Sequence, residues 1–314
     1  MPVDINSQTG LHHESSARLS QKKVEHPKTA LLIGAGYTAL RLVPYLQSEG
    51  YTVWGTTRSD KTVAMLLNLQ AIPIITEDFK SQDLRSIFER ADIILSSVPP
   101  SKVADKKGFH DPVISALGDI TPRAQWMGYY SATSVYGDRK GQWAFEGEPA
   151  NPQLKRGLAR AEAELEWLET SWPIHIFRLA GIYGPGRDPF TKFKNGTVRA
   201  VIKLGHIVNR IHVSDIISAT LASIKNPHPQ RIYNLADGQP APPQDVLDYA
   251  ADLMGVPHPP RVMVLDDSVS DMARSFYSET KRIDNGRARR ELKWEPQYAN
   301  YKEGLASIWR NMPS

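Results

Sequence analysis

Residues 29–50 read "TALLIGAGYTALRLVPYLQSEG". The opening TALLI is a short apolar run, the pattern of a strand buried on both faces. Leu40, Val43 and Leu46 then recur at helical spacing until Gly50 stops the helix. Between strand and helix, Gly34, Gly36 and Ala39 form G-x-G-x-x-A. At such a junction Gly34 permits the tight turn, Gly36 lets main chain approach a pyrophosphate, and Ala39 keeps helix and strand close. Free amides at the helix start, around Tyr37 and Thr38, favour a phosphate. The stretch is predicted to open a dinucleotide-binding βαβ unit.

Outward from it the same alternation continues. YTVWGTT (51–57), AIPIIT (71–76), DIILSSVPP (92–100), AQWMGYYSA (124–132) and IHIFRLAGIYG (174–184) read as strands. DKTVAMLLNLQ (60–70), SQDLRSIFERA (81–91), DPVISALGDI (111–120) and a long segment over 152–172 read as helices. This order predicts an α/β fold, a doubly wound parallel sheet with right-handed crossovers. After Gly184 prolines and glycines become frequent. Three segments there still look like core: HVSDIISATLASI (212–224) as a helix, RIYNLA (231–236) as a strand, and PQDVLDYAADLMG (243–255) as a helix. The expected organisation is a disordered tail over 1–28, a nucleotide-binding domain over 29–184, and a mixed segment over 185–314. That last segment forms a small substrate lobe and completes the core.

Composition narrows the function. The chain of 314 residues has 41% apolar and 23% charged residues, a net charge of +4 and no cysteine. Disulfides and thiolate metal sites are excluded, and a reducing cytoplasm is the expected location. No apolar run reaches 18 residues, so no membrane helix is expected. Lys and Arg are scattered rather than striped, which argues against nucleic acid. His175, His206 and His212 are isolated and lack metal-ligand spacing, so no metal is expected.

The second strand ends in GTTRSD. An NAD site would carry an acid near Thr56 or Thr57. Instead Arg58 follows, and a guanidinium suits a 2′-phosphate. NADP is therefore preferred, with NAD as the alternative.

SVYGD (134–138), RLAGIYGPGR (178–187), RIHVSD (210–215) and RIYNLADG (231–238) together resemble the extended short-chain dehydrogenase/reductase family, the NAD(P)-dependent epimerase/dehydratases. KRIDNGRARRELKWEP (281–296) is similar to its C-terminal segment. The two-glycine loop resembles an atypical, YeeZ-like branch. The resemblance implies a Rossmann core with a small C-terminal substrate lobe. It also implies cofactor contacts from Asp78 and Phe79, from Ser97, Val98 and Pro99, and from Ser131. The segment RLAGIYGPGR would line the floor where nicotinamide and substrate meet. Tyr183 and Arg187 thereby become substrate candidates, with Arg210 close by. The family analogy further implies a homodimer through the 152–172 helix.

The departures concern the chemistry. The family uses a Ser or Thr after the fifth strand and a Tyr-x-x-x-Lys on the next helix. Here the helix begins NPQLKRGLARAEAE, and its Pro, Gly and Glu set Arg156 in the Tyr place and Arg160 in the Lys place. Like charges four apart repel, and Glu164 stands four residues beyond Arg160 to offset this. Arginine does not donate a proton near neutral pH. Ala132 stands in the Ser/Thr place, flanked by Ser131 and Thr133, and Tyr136 or Tyr183 could replace the missing acid. YSETK (277–281) repeats the Tyr-x-x-x-Lys spacing but lies far from the fifth strand. The helical wheel puts Leu154, Leu158, Ala161, Leu165 and Leu168 on one apolar stripe, opposite Arg156, Arg160 and Trp167.

Two readings stay open. One is an atypical NAD(P)-dependent oxidoreductase or epimerase/dehydratase-like enzyme. Its substrate would be small and polar, and anionic if Lys192, Lys194, Arg199 and Lys203 face it. The other is a non-catalytic NADP(H)-binding redox sensor. The altered Tyr and Lys places favour the sensor, and the complete floor and lobe favour the enzyme.

Overall fold

The computed structural model describes residues 26–102 and 108–312. The expected tail over 1–28 lies outside them as far as residue 25.

Thr29–Ile33 (β1), Thr52–Thr57 (β2), Ile72–Ile75 (β3), Ile93–Ser96 (β4), Trp126–Ala132 (β5), Ile174–Leu179 (β6) and Arg231–Leu235 (β7) form one sheet. Its order is β3-β2-β1-β4-β5-β6-β7 and every pairing is parallel. Every residue of β1, β4 and β6 is buried; β1 and β4 accordingly read as near-continuous apolar runs, while β6 carries His175 and Arg178 inside its run, satisfied by the Met127 carbonyl and by Glu164.

Alternate strand residues feed two cores. Leu32, Leu95, Tyr130, Phe177 and Tyr233 point to the face covered by Tyr37–Ser48 (α1) and Val213–Lys225 (α6). Leu31, Ile94, Met127, Tyr129 and Ile176 point to the face covered by Gln82–Arg90 (α3), Pro112–Leu117 (α4) and Lys155–Glu169 (α5). Asp60–Asn68 (α2) links β2 to β3. A third core holds the second lobe, where Tyr183 and Phe190 pack with Ala250 of Pro243–Met254 (α7) and with Leu305 of Tyr301–Arg310 (α8).

The strand order reverses between β1 and β4, which opens a crevice at their carboxyl ends. Ile33 lies beside Ser96, so the glycine loop and residues 97–100 leave the sheet side by side.

Two expectations change. The segment 174–184 is not one strand: β6 ends at Leu179, and Gly181–Tyr183 leaves the sheet to pair with Arg210–His212. Gly181 N–H turns to the Asn209 carbonyl and begins this second ribbon. The apolar stripe of α5 is also not its core face. Leu158 and Leu165 are 40% and 60% exposed, while Gly157, Ala163, Glu164 and Trp167 are buried. A Cβ on Gly157 would meet the Ser134 carbonyl at 2.5 Å, so this glycine lets α5 lie against the turn after β5.

Candidate functional site

The glycine loop is pinned from both sides. Gly34 N–H donates to Thr56 Oγ1 at 2.8 Å, its carbonyl accepts from Ser97 Oγ at 2.5 Å, and Ala35 N–H donates to the Thr56 carbonyl at 2.8 Å. Gly34 sits at φ +82°, and a Cβ there would lie 3.0 Å from Val98 Cγ2. Its glycine is required by the protein itself. Gly36 differs: its φ is an ordinary −92°, and the nearest heavy atom to an added Cβ is 3.9 Å away. Nothing in the protein fills that space. Gly36 is also the N-cap of α1 and brings no side-chain hydrogen bond, so the amides of Tyr37, Thr38 and Ala39 have no acceptor among the described residues. Open space over a glycine, beside free amides at the positive end of a twelve-residue helix, fits a pyrophosphate. Ala39 is buried between α1 and the sheet.

Two clefts meet at this loop. The first, of about 630 Å³, runs from Gly34 and Gly36 past Thr57 and Arg58 to Phe79, and is closed by Ser97, Val98 and Pro99. Arg58 is exposed and makes no hydrogen bond or ion pair with the described residues. Asp78 is exposed and its carboxylate accepts Lys80 N–H at 3.1 Å, while its neighbours Thr76 and Glu77 line the cleft. Phe79, at φ +61°, turns the chain there.

The second cleft, of about 360 Å³, shares Gly36 and Ser97 with the first. Tyr37, Ser131, Arg160, Ala180 and Arg187 line it, brought together from five separate segments. Arg160 Nη1 donates to Tyr129 Oη at 2.8 Å and to the carbonyls of Tyr130 and Val98 at 3.0 and 3.4 Å. Its Nε and Nη2 hydrogens have no acceptor among the described residues. Tyr37 lies between two guanidiniums, Arg41 at 3.7 Å and Arg187 at 4.2 Å from its ring, and its hydroxyl donates to the Pro185 carbonyl at 3.1 Å. Burial raises the Tyr37 phenol above its ordinary value, and Arg41 and Arg187 partly offset this.

Several expected participants stand elsewhere. Arg156 lines neither cleft. It donates to Ser275 Oγ at 3.2 Å and the Ser275 carbonyl at 3.0 Å, and lies over the Phe276 ring. The two arginines thus diverge to separate acceptors, which is how α5 tolerates the pair. Glu164 does not serve Arg160. Its carboxylate grips Arg178, Oε2 to Nη2 at 2.7 Å and both oxygens to Nε at 3.1 Å, and accepts Ser131 Oγ at 2.5 Å. Ser131 has therefore committed its one proton and can only accept from a ligand. Thr133 opens the turn Thr133–Tyr136, half-buried, and borders neither cleft.

Tyr136 is fully buried and donates to Asn234 Oδ1 at 2.8 Å. Burial raises its phenol, and it lines neither of the two clefts at the glycine loop. Tyr183 is buried with its phenol pushed up, chiefly by burial and next by Asp237, and it borders a third cleft together with Arg187 and Arg210. Tyr277 and Lys281 form no working pair: the tyrosine donates to the Val201 carbonyl and the lysine is bound to Glu279. Arg41 escaped the sequence reading, and Glu164 was assigned there to Arg160 rather than to Arg178 and Ser131. A Tyr or Arg four residues along a helix is readable, but a carboxylate facing the core is not.

No family model matches the chain. It is 29% identical over 282 residues to the protein YeeZ of Escherichia coli K12, across 86% of this chain and 96% of YeeZ. A solved structure of a functionally unknown conserved protein from Silicibacter pomeroyi is 40% identical, with a TM-score of 0.82 over 90% of this chain and 99% of that one. The chain is a homologue of YeeZ, and it shares the Rossmann-type fold of NAD-dependent epimerases and dehydratases. A more distant likeness, 16% identical with a TM-score of 0.69, is to dTDP-glucose 4,6-dehydratase from Bacillus anthracis in complex with NAD, over 90% of this chain and 96% of that one. Of Arg156 and Arg160, which the family resemblance sets in the Tyr and Lys places, only Arg160 reaches the second cleft. No helix among the described residues is long and apolar enough to cross a membrane, and no group of three or more His, Asp or Glu among them could hold a metal ion.

Proposed function

We propose that the protein is an NADP(H)-dependent oxidoreductase or epimerase-like enzyme acting on a small polar carbonyl or alcohol. One observation carries this: a glycine loop with open space over Gly36 and free helix amides lies where two clefts join, with an unpaired Arg58 in one and Arg160 in the other. A nicotinamide dinucleotide, when bound, supplies hydride chemistry. Gly36 and the amides of 37–39 would hold its pyrophosphate, and Arg58 a 2′-phosphate.

Arg160 takes the part the family gives to a proton donor, by a different means. A fixed cation aimed at the reacting oxygen stabilises the charge that develops there, without giving up a proton. Its free Nε and Nη2 hydrogens suit that task. Ser131, held by Glu164, accepts a hydrogen bond from a substrate hydroxyl and so orients it. The proton itself comes from solvent in this reading. NADPH oxidation against a panel of carbonyl compounds tests it. Arg160→Met should lower kcat by about a hundredfold or more. Turnover that survives that change sinks the role of Arg160.

Arg58→Gln should weaken NADPH about tenfold, the worth of one charge-assisted contact at an exposed site, and leave NADH unchanged. Fluorescence titration with both cofactors reads the difference. An equal loss for both would assign Arg58 to something other than the 2′-phosphate.

The second reading, a non-catalytic redox sensor, draws on one observation: Ser131 has no proton to give and Tyr136 lines neither cleft at the glycine loop. Tight NADPH binding with no turnover on any carbonyl would favour it. The exposed Leu158 and Leu165 support a homodimer through α5. Sedimentation giving a monomer at working concentration removes that proposal.

A further inference from the structure

Tyr37 and Arg41 stand one helical turn apart on α1, and both reach the turn Gly184–Arg187. Arg41 bridges two carbonyls: Nη1 donates to that of Tyr37 at 2.7 Å, and Nη2 to that of Pro185 at 3.1 Å. The Pro185 carbonyl also accepts the Tyr37 hydroxyl at 3.1 Å. The turn is closed on itself, because Gly184 N–H donates to the Arg187 carbonyl at 3.2 Å and Arg187 N–H to the Gly184 carbonyl at 2.8 Å. A Cβ on Gly184 would lie 2.7 Å from Tyr37 Oη, so the phenol seats against the turn only while position 184 carries no side chain. With Arg41 and Arg187 held 3.7 and 4.2 Å from the centre of the Tyr37 ring, the arrangement sets Arg187 at the wall of the second cleft.

Tyr37 therefore faces two ways. Its amide is one of those at the start of α1 that have no acceptor among the described residues, beside the open space over Gly36. Its side chain is the seat of the turn. Charge links the two ends. Neither Arg41 nor Arg187 forms an ion pair with the described residues, and the adjacent Asp188 carboxylate is taken up by Gly186 and Phe190 N–H at 3.0 and 3.1 Å. Two guanidiniums against one ring repel, which works to open the turn. Side chains on a helix lean toward its N-terminus, so Arg41 leans toward the end of α1 where an anion is favoured. An anion seated there supplies the counter-charge that the protein lacks.

We infer that Arg41 is a positioning residue: with the Tyr37 side chain it latches the Gly184–Arg187 turn to α1, and an anion on the first amides of α1 tightens that latch. Filling the glycine loop thereby fixes Arg187 in the second cleft. The identity of the anion, a dinucleotide pyrophosphate, rests on the function proposed above, whereas the latch itself does not.

Hydrogen–deuterium exchange of the full chain, read on a peptide spanning residues 184–188 with and without saturating NADPH, tests the inference. Bound NADPH should slow exchange of the turn about tenfold. In unliganded Arg41→Met the turn should exchange about tenfold faster than in the parent, while peptides of β1 and β4 exchange as before and show that the variant is folded. NADPH should no longer slow the turn in that variant. Arg41→Lys keeps the charge but not the two-armed fork and should behave like Arg41→Met. By reciprocity, calorimetry should find NADPH weakened in Arg41→Met by no more than the factor lost in protection. Bound NADPH that leaves the turn of the parent unchanged overturns the latch, as does a response that survives in Arg41→Met. Full retention in Arg41→Lys overturns the bridge, because charge alone would then suffice. If NADPH does not bind at all, the dinucleotide reading falls. In that case a faster turn in unliganded Arg41→Met still supports the latch, and an unchanged one overturns it as well.

Discussion

Glu164→Ala is expected to cost about 3–5 kcal/mol of folding stability, the range for removing one partner of a buried ion pair. Glu164 and Arg178 are 3% and 4% exposed. The carboxylate answers both Nε and Nη2 of Arg178, and Arg178 Nη1 already lacks a partner. Removing the acid leaves a whole guanidinium buried and unanswered, and frees Ser131. Urea unfolding at pH 7 measures the loss. The double variant Glu164→Met, Arg178→Met should recover most of it, because two apolar side chains of similar size leave no buried charge. A single-variant loss below about 1 kcal/mol would mean the pair is solvated in solution and does not hold β6 to α5.

Gly36→Val carries the largest expected effect on binding. The protein offers room for the new side chain, with nothing nearer than 3.9 Å to its Cβ, and φ there is ordinary. Stability should change little. Dinucleotide affinity should fall by about a hundredfold or more, because the isopropyl group fills the space assigned to the pyrophosphate, and each factor of ten is about 1.4 kcal/mol. Gly34→Ala should behave in the opposite way and lose stability first, since φ +82° and the Val98 contact both oppose a Cβ. If Gly36→Val binds cofactor like the parent, the space over Gly36 is not the phosphate site.

Much of this was readable from residue order. Strands buried on both faces produce near-continuous apolar runs, so β1 and β4 announce themselves in TALLI and IIL, while β6 does so in IHIFRL despite His175 and Arg178. The glycine loop is legible because its chemistry is local. What stayed hidden depends on partners distant in sequence. The wheel of α5 counts leucines as core and charges as surface, but Arg178 on β6 draws Glu164 inward and leaves Leu158 and Leu165 exposed. The break after Leu179 is set by Asn209, thirty residues downstream, whose carbonyl takes Gly181 N–H. Tyr136 carries a family motif on an exposed-sounding turn, and only the fold reveals that Asn234 of β7 claims its hydroxyl. Arg156 and Arg160 look equivalent on the helix, and only the fold shows that Ser275 and Phe276 take the first while Tyr129 and Tyr130 take the second.

Isothermal titration calorimetry of the folded full-length chain with NADPH, NADP, NADH and NAD tests the central claim most directly. One site per chain that favours the phosphorylated pair, and is lost in Gly36→Val, is the predicted result. Heat traces with no binding of any of the four, from protein whose circular dichroism and cooperative unfolding are normal, would contradict it.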